Sequence, residues 1–324
     1  MVLLAGAVAL VAALVWSVSV GAASIDLGTV WQAVFAFDHS SSQHLVIQEF
    51  RLPRVVASAV VGASLAVAGA LMQGLTRNPL ASPTLMGLNG GASLLLVIGI
   101  AFLPRLGFTG LMLMSFVGAA LGVGLVYGLG SSGRGGLTPV RLALAGTAVS
   151  ALLGSLADGI VHATRIAQDV LFYLAGGVQG VRWPQLDLML PWALGALALA
   201  ILLAPGVALL NLGEDVARGL GQRTGRLRFL ASVCTLVLAG GAVALAGGVG
   251  FVGLVVPHVM RFMVGVDYRW IIPGSAVFGA LLLVLADLGA RMVNPPYELP
   301  VGLITALIGV PFFVYLARRG DQGL

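Results

Sequence analysis

No lysine occurs anywhere in this chain of 324 residues; all 17 basic residues are arginine. A phosphate-binding loop of the Walker A type needs its lysine to reach the β- and γ-phosphates, so the chain is not itself a P-loop ATPase. Schiff-base chemistry is excluded on the same ground. Cysteine is nearly as scarce: Cys234 is single, lies inside an apolar run and has no partner for an internal disulfide. Four scattered histidines leave no Cys/His metal cluster. Charge itself is thin, with Asp, Glu, Lys and Arg making up 9% of the residues, against about 25% in a soluble domain. The net charge of +5 is therefore not read as a nucleic-acid surface.

What replaces charge is hydrophobicity, at 59% of the residues and a mean hydropathy of +1.05. Apolar runs recur along the whole length, so a lone anchor and a secreted or soluble multi-domain product are both excluded. At roughly 20 residues per crossing, the runs predict an all-α integral membrane protein of about ten transmembrane helices, in one transmembrane domain over residues 1–324. The spans fall at about 1–22, 51–75, 85–103, 110–129, 139–163, 186–209, 229–246, 251–264, 271–288 and 301–316. The first resembles a signal peptide but lacks a basic leader and is followed by many equally apolar runs. Glycine, 46 residues, is about twice its usual share and predicts close helix contact through small faces. A polar stretch is expected at about 24–49, a glycine-rich hinge at 130–136 and a mixed segment with a short surface helix at 165–185.

One polar island interrupts the apolar pattern. NLGEDVARGLGQRTGRLR, residues 211–228, holds Glu214, Asp215, Arg218, Arg223, Arg226 and Arg228. Glu214 and Arg218 stand at i, i+4 on a short helix, which Gly213 and Gly221 bracket. On residue types alone an ordinary cytoplasmic loop is the stronger reading, and a helix that docks a soluble partner is the sharper one. Arginine placement orients the chain. Eleven of the 17 arginines fall on the island's side of a ten-span arrangement, which puts the island and both termini in the cytoplasm. A faint echo links RVVAS at Arg54 to RFLAS at Arg228; with five spans between them the copies would have opposite topology, as in the inverted repeats of transporters.

The fifth span carries Thr147, Ser150, Ser155, Asp158 and His162. At 100° per residue they share an arc of about 140°, with an apolar face opposite. A span with one wet face lines an aqueous path or a helix contact. Asp158 and His162, at i, i+4, would suit a proton relay or half a metal site, but no third ligand is in reach; lining of a permeation path is preferred, with no metal and no catalytic residue. For His258, in a glycine-rich stretch with Pro257, a hydrogen bond within the bundle is preferred to a ligand role.

Five runs carry a family resemblance: RLPR, SLAVAGALMQGLTRNPLASPTLMGLNGGA, LNLGEDVARGLG, GGVGFVGLVVPHVMRF and ELPVGLITALIGVPFF. In order and over nearly the whole chain, they resemble the permease family of ABC importers for ferric siderophores, haem and vitamin B12. The resemblance implies a permease dimer, of identical or paralogous subunits, around a central pathway. It also implies two cytoplasmic ATPase subunits, which carry the ATP and Mg, and an extracytoplasmic binding protein that delivers substrate. The chain would then be no enzyme and would hold no cofactor of its own. By the same resemblance Gly213, Glu214, Ala217, Leu220 and Gly221 form the loop that contacts the ATPase. Arg51, Arg54 and Arg291 match outward arginines that meet acidic residues of the binding protein. The segment DVLFYLAGGVQGVRW, 169–183, is more similar to siderophore permeases than to haem or B12 permeases. The chain departs from the pattern in its short N-terminus, without a basic residue before the first span. Two other classes remain open: an ion-coupled secondary transporter with Asp158 as coupling carboxylate, and a non-transporting membrane scaffold.

Overall fold

The structure is a computed structural model that describes residues 1–21, 25–84, 86–131, 139–164, 166, 176–295 and 297–319. The expected hinge at 130–136 falls largely outside the described residues, as do residues 165 and 167–175 of the expected mixed segment at 165–185. Every regular element among the described residues is helical. In chain order these are α1 (Val2–Ser19), α2 (Leu27–Phe35), α3 (Ser42–Val46), a π-helical turn (Ile47–Arg51), α4 (Leu52–Thr76), α5 (Leu88–Phe102), α6 (Phe108–Ser131) and α7 (Pro139–Thr164). Then follow α8 (Trp183–Asn211), α9 (Glu214–Gly219), α10 (Thr224–Ala246), α11 (Val252–Val264), α12 (Tyr268–Met292) and α13 (Val301–Arg319).

Seven helices are long and apolar enough to cross a bilayer, counting α3, the π turn and α4 as one rod from Ser42 to Thr76. The expected third, eighth and tenth spans are shorter apolar helices, Leu88–Phe102, Val252–Val264 and Val301–Leu316. At 1.5 Å per residue, 13–15 residues reach only about 20–22 Å, short of the roughly 30 Å of hydrocarbon. Irregular backbone precedes two of them, and in a membrane that is tolerated only where protein covers it. Ala81, Ser82 and Met86 ahead of α5 are indeed buried, as is Val249 ahead of α11. Their polar groups are answered from inside: Gly177 N–H donates to Ala246 O at 2.8 Å, and the Asn89 amide donates to Val249 O at 3.3 Å. The stretch at 24–49, expected to be merely polar, also holds α2, whose Asp26 caps it by accepting from Gly28 N–H at 2.8 Å.

Helix α4 is the centre of the bundle. It begins with Pro53, whose fixed φ and missing N–H suit a first turn. It ends at Arg77 in the left-handed region (φ 50°), with Asn78 N–H returning to Gln73 O at 3.2 Å just before the Asn-Pro break. Between those ends nearly every side chain is buried, against α1, α8, α10, α11 and α12. So much company requires small faces. A Cβ on Gly62 would stand 2.2 Å from Gly279 O of α12, and one on Gly69 would stand 1.9 Å from Gly253 O of α11. RVVAS and RFLAS open α4 and α10, which pack against each other.

Because these obstacles are backbone oxygens, the neighbours cannot yield without moving a helix. Gly62→Ala should therefore lower stability by about 1–3 kcal/mol, the usual cost of overpacking. Gly195→Ala on α8, where a Cβ meets nothing within 4 Å, should be neutral or stabilising by up to about 1 kcal/mol. Unfolding of the two variants in the same detergent decides it, and equal effects would show that the glycine contact does not hold the bundle.

Candidate transport and coupling sites

The polar island folds as the sequence predicts, but its residues divide differently. Gly213 (φ 132°) precedes α9 and Gly221 (φ 81°) follows it, both in backbone regions that a side chain would strain. Gln222 N–H returns to Ala217 O at 2.9 Å. Glu214 accepts from Arg218 at 2.6 Å and from Arg228, at the start of α10, at 2.7 Å. The carboxylate thus ties α9 to the next span. Ala217, expected on the contact surface, has 0% exposure: it is the point on which α9 sits against this chain's own body. The exposed apolar side chains are Leu212, Val216 and Leu220, spaced four apart. That i, i+4 spacing was the available signal, and the charges around it obscured it.

On α7 the structure separates the five candidate residues. Thr147, Ser155, Asp158 and His162 are exposed within about 80° of the helix circumference, counted at 100° per residue. The His162 Nδ1 lies 2.8 Å from Asp158 O, and among the described residues Asp158 has no ion-pair partner. Ser150 does not belong to this stripe. It is half-buried, donates to Thr84 O at 3.4 Å and packs beside Gly90 at the start of α5. The buried stripe is Val149, Leu153, Ala157 and Val161, against α5 and α6. Among the described residues no three His, Cys, Asp or Glu groups are placed to hold a metal ion.

The three arginines expected to face outward are turned inward instead. Arg54 closes one edge of its fork on Asp287, at 2.9–3.2 Å, and reaches both oxygens of Glu298 at 2.9 Å. Arg291 pairs with Asp287 at 3.1 Å, donates to Val20 O at 2.9 Å and bonds the Ser17 hydroxyl. Arg51 donates to Val18 O at 2.8 Å and Ser19 O at 3.0 Å. All three are buried, and Asp287 is wholly so. The reason is chemical: a planar fork with five donors caps the loose carbonyls at the end of α1 and grips carboxylates in two directions at once. Sequence reasoning passed over Asp287, although an acid four residues before Arg291 in an apolar run was visible. Near the other end of α4, Arg261 of α11 donates to Gln73 Oε1 at 2.8 Å and to Tyr268 Oη at 3.1 Å.

The two acids around Arg54 should differ in weight because they differ in exposure, 0% for the Asp287 side chain and 35% for Glu298. Asp287→Ala leaves two buried guanidinium groups without their shared anion and should cost about 3–5 kcal/mol. Glu298→Ala breaks a pair that water already screens and should cost about 0–1 kcal/mol. Denaturant titration in micelles ranks them, and a Glu298 loss as large as that of Asp287 would refute the burial argument.

The FecCD transport family matches residues 9–319. Over 323 residues the chain is 51% identical to the iron(3+)-hydroxamate import system permease protein FhuB of Bacillus subtilis, covering 100% of this chain and 84% of that protein. It is 45% identical over 304 residues to the Fe(3+)-citrate import system permease protein YfmD of the same organism, covering 94% of this chain and 90% of that one. Among solved structures, one described as an inward-facing conformation of a metal-chelate type ABC transporter superposes with a TM-score of 0.82 at 28% identity, covering 98% of each chain. Helices of this length and apolarity make the chain a multi-pass membrane protein, and by these matches it belongs to the FecCD transport family.

Proposed function

We propose that this chain is the permease subunit of an ATP-driven importer for ferric siderophores in a bacterial cell membrane. The observation that carries the reading is the 51% identity, along the entire chain, to a ferric hydroxamate permease. The geometry supports it. Thr147, Ser155, Asp158 and His162 form a polar stripe that this chain leaves uncovered, as suits one wall of a pathway completed by a second permease subunit. Val216 and Leu220 form an exposed apolar pair on a helix seated on Ala217, with exposed Leu212 just ahead of it, as suits a contact with a separate ATPase. ATP and Mg then belong to that partner, of which two copies act on the permease pair, and a binding protein delivers substrate from outside. The arginine bias supports a cytoplasmic position for α9 and both termini.

The reading is tested in proteoliposomes that hold the permease pair, its ATPase and its binding protein. Radioactive iron should accumulate from a hydroxamate siderophore when ATP is inside. Haem or vitamin B12 should enter far more slowly; faster entry of either would move the substrate assignment. Asp158→Asn should leave ATP-driven uptake largely intact, whereas its loss, with transport following a proton gradient, would identify a secondary carrier.

Both surfaces have their own readouts. With Cys234 replaced, cysteines at Ser155 and Asp158 should react with water-soluble thiol reagents while one at Leu153 stays protected. Equal labelling would remove the pathway assignment. Val216→Asp with Leu220→Asp should reduce co-purification of the ATPase at least tenfold, about 1.4 kcal/mol or more, with membrane insertion unchanged. Wild-type assembly in that variant would return α9 to the status of a connecting loop.

A further inference from the structure

Four arginines stand between Arg218 and Arg228, and the structure treats them in two ways. Arg218 and Arg228 are held by Glu214. Arg223 and Arg226 have no ion pair or side-chain hydrogen bond among the described residues. They line instead the mouth of a cavity of about 350 Å³, together with Gln222 and the side chains of Leu203, Leu227 and Leu230. The cavity lies between the last turns of α8 and the first turns of α10, beside the end of α9. Its lining is mixed: two cations and an amide together with three leucines. Beyond those leucines the neighbouring surface is apolar, with Leu202 on α8 and Phe229 and Val233 on α10 all exposed. The cavity therefore joins a charged rim to the band of helix surface that faces hydrocarbon.

We propose that this cavity is a binding site for a phosphate-bearing anionic lipid of the leaflet on the α9 side. The phosphodiester would sit between the guanidinium groups of Arg223 and Arg226, and an acyl chain would lie over Leu203 and Leu230. The chemistry selects this ligand over its competitors. A free phosphate would use the arginines and leave the leucines in contact with water. A zwitterionic lipid would set its own cation against two others. An acidic side chain of a soluble partner would meet the arginines but has nothing to place on the leucines. Arginine fits the role because its planar fork grips two phosphate oxygens together, and basic pockets between spans on the cytoplasmic side hold anionic headgroups elsewhere. Since Gly221 also lines the cavity, a bound headgroup would brace the end of the helix that carries Val216 and Leu220. Lipid charge would thereby influence how firmly α9 is presented.

The test uses the purified full chain, without ATPase, in nanodiscs of phosphatidylcholine containing a minor share of dioleoyl phosphatidylglycerol. Native mass spectrometry after detergent release should find phosphatidylglycerol retained in preference to phosphatidylcholine, and millimolar glycerol phosphate should not displace it. Each arginine near an anionic headgroup is worth about a five- to sixfold gain in binding. Arg223→Gln with Arg226→Gln should then reduce the preference about thirtyfold, while the corresponding lysine pair keeps most of it. Leu230→Trp, which takes up cavity volume and leaves the charges alone, should also reduce retention. Because both arginines are exposed, the glutamine pair should melt with wild type. Equal retention of the two lipids, or wild-type preference in the glutamine pair, overturns the proposal. Displacement by glycerol phosphate would assign the site to a free phosphate. If the glutamine pair binds lipid normally but no longer assembles with the ATPase, the arginines are contacts for that partner and no lipid site exists.

Discussion

Asp287 has no exposed surface, and a carboxylate so placed in an apolar bundle is costly unless cations close on it. Two do: Arg54 arrives from α4 and Arg291 from one turn further along α12. Removing Asp287 strips Arg291 of its carboxylate and leaves Arg54 with the partly exposed Glu298 alone, which is why the group behaves as a unit. Its reach is wider than the pair. Through Glu298 it fixes the link between α12 and α13, and through Arg291 and Arg51 it caps the carbonyls at the end of α1. Segments more than 200 residues apart in sequence are thus bound at one end of the bundle.

From that knot α4 runs as a rod to a second polar group at its other end. There Gln73 accepts from Arg261, and its own amide donates to Gly253 O at 3.3 Å. Gly74 lies close to Val207 of α8 and Tyr268 of α12, so the end of α8 that leads into α9 is packed on the same rod. Between the knots Gly62 and Gly69 meet backbone oxygens of α12 and α11, among buried aliphatic side chains such as Leu65 and Leu71. Packing of that kind is bistable rather than elastic.

Much of this was legible in the sequence, and the parts that were not have a common cause. Hydropathy locates the spans because each must satisfy its own backbone bonds in lipid. The turn at Asn78-Pro79, the glycine brackets of α9 and the polar arc of α7 follow from local chemistry in the same way. What local chemistry cannot supply is the partner. Arg54, read alone beside the RLPR start of a span, is an exposed rim cation; it becomes buried only because Asp287, 233 residues away, comes to it. Ala217 entered the contact loop by family resemblance, which does not say which side of a helix is covered by its own chain; its smallness lets α9 sit flush on this one. Ser150 fell into the arc by angle, and α5, which the angle does not know about, turned it into a contact.

The exposed residues carry the remaining argument, because lipid is a poor host for them. A charged or polar side chain facing hydrocarbon is costly, and Asp158, in the last two turns of α7, lies on its open face with Ser155 and His162 beside it. A face with those groups is stable only against water or against another protein's polar surface. Leu152 and Leu156, also exposed, lie on the adjoining side of the same helix and make the opposite demand, for apolar cover. One helix with two uncovered faces of opposite character fits a position at the edge of an aqueous path, where one side meets solvent and the next meets a second subunit. A single chain supplies one wall of such a path. On the proposed reading, a second subunit would answer the chemistry of α7, independently of any stability it adds to the bundle.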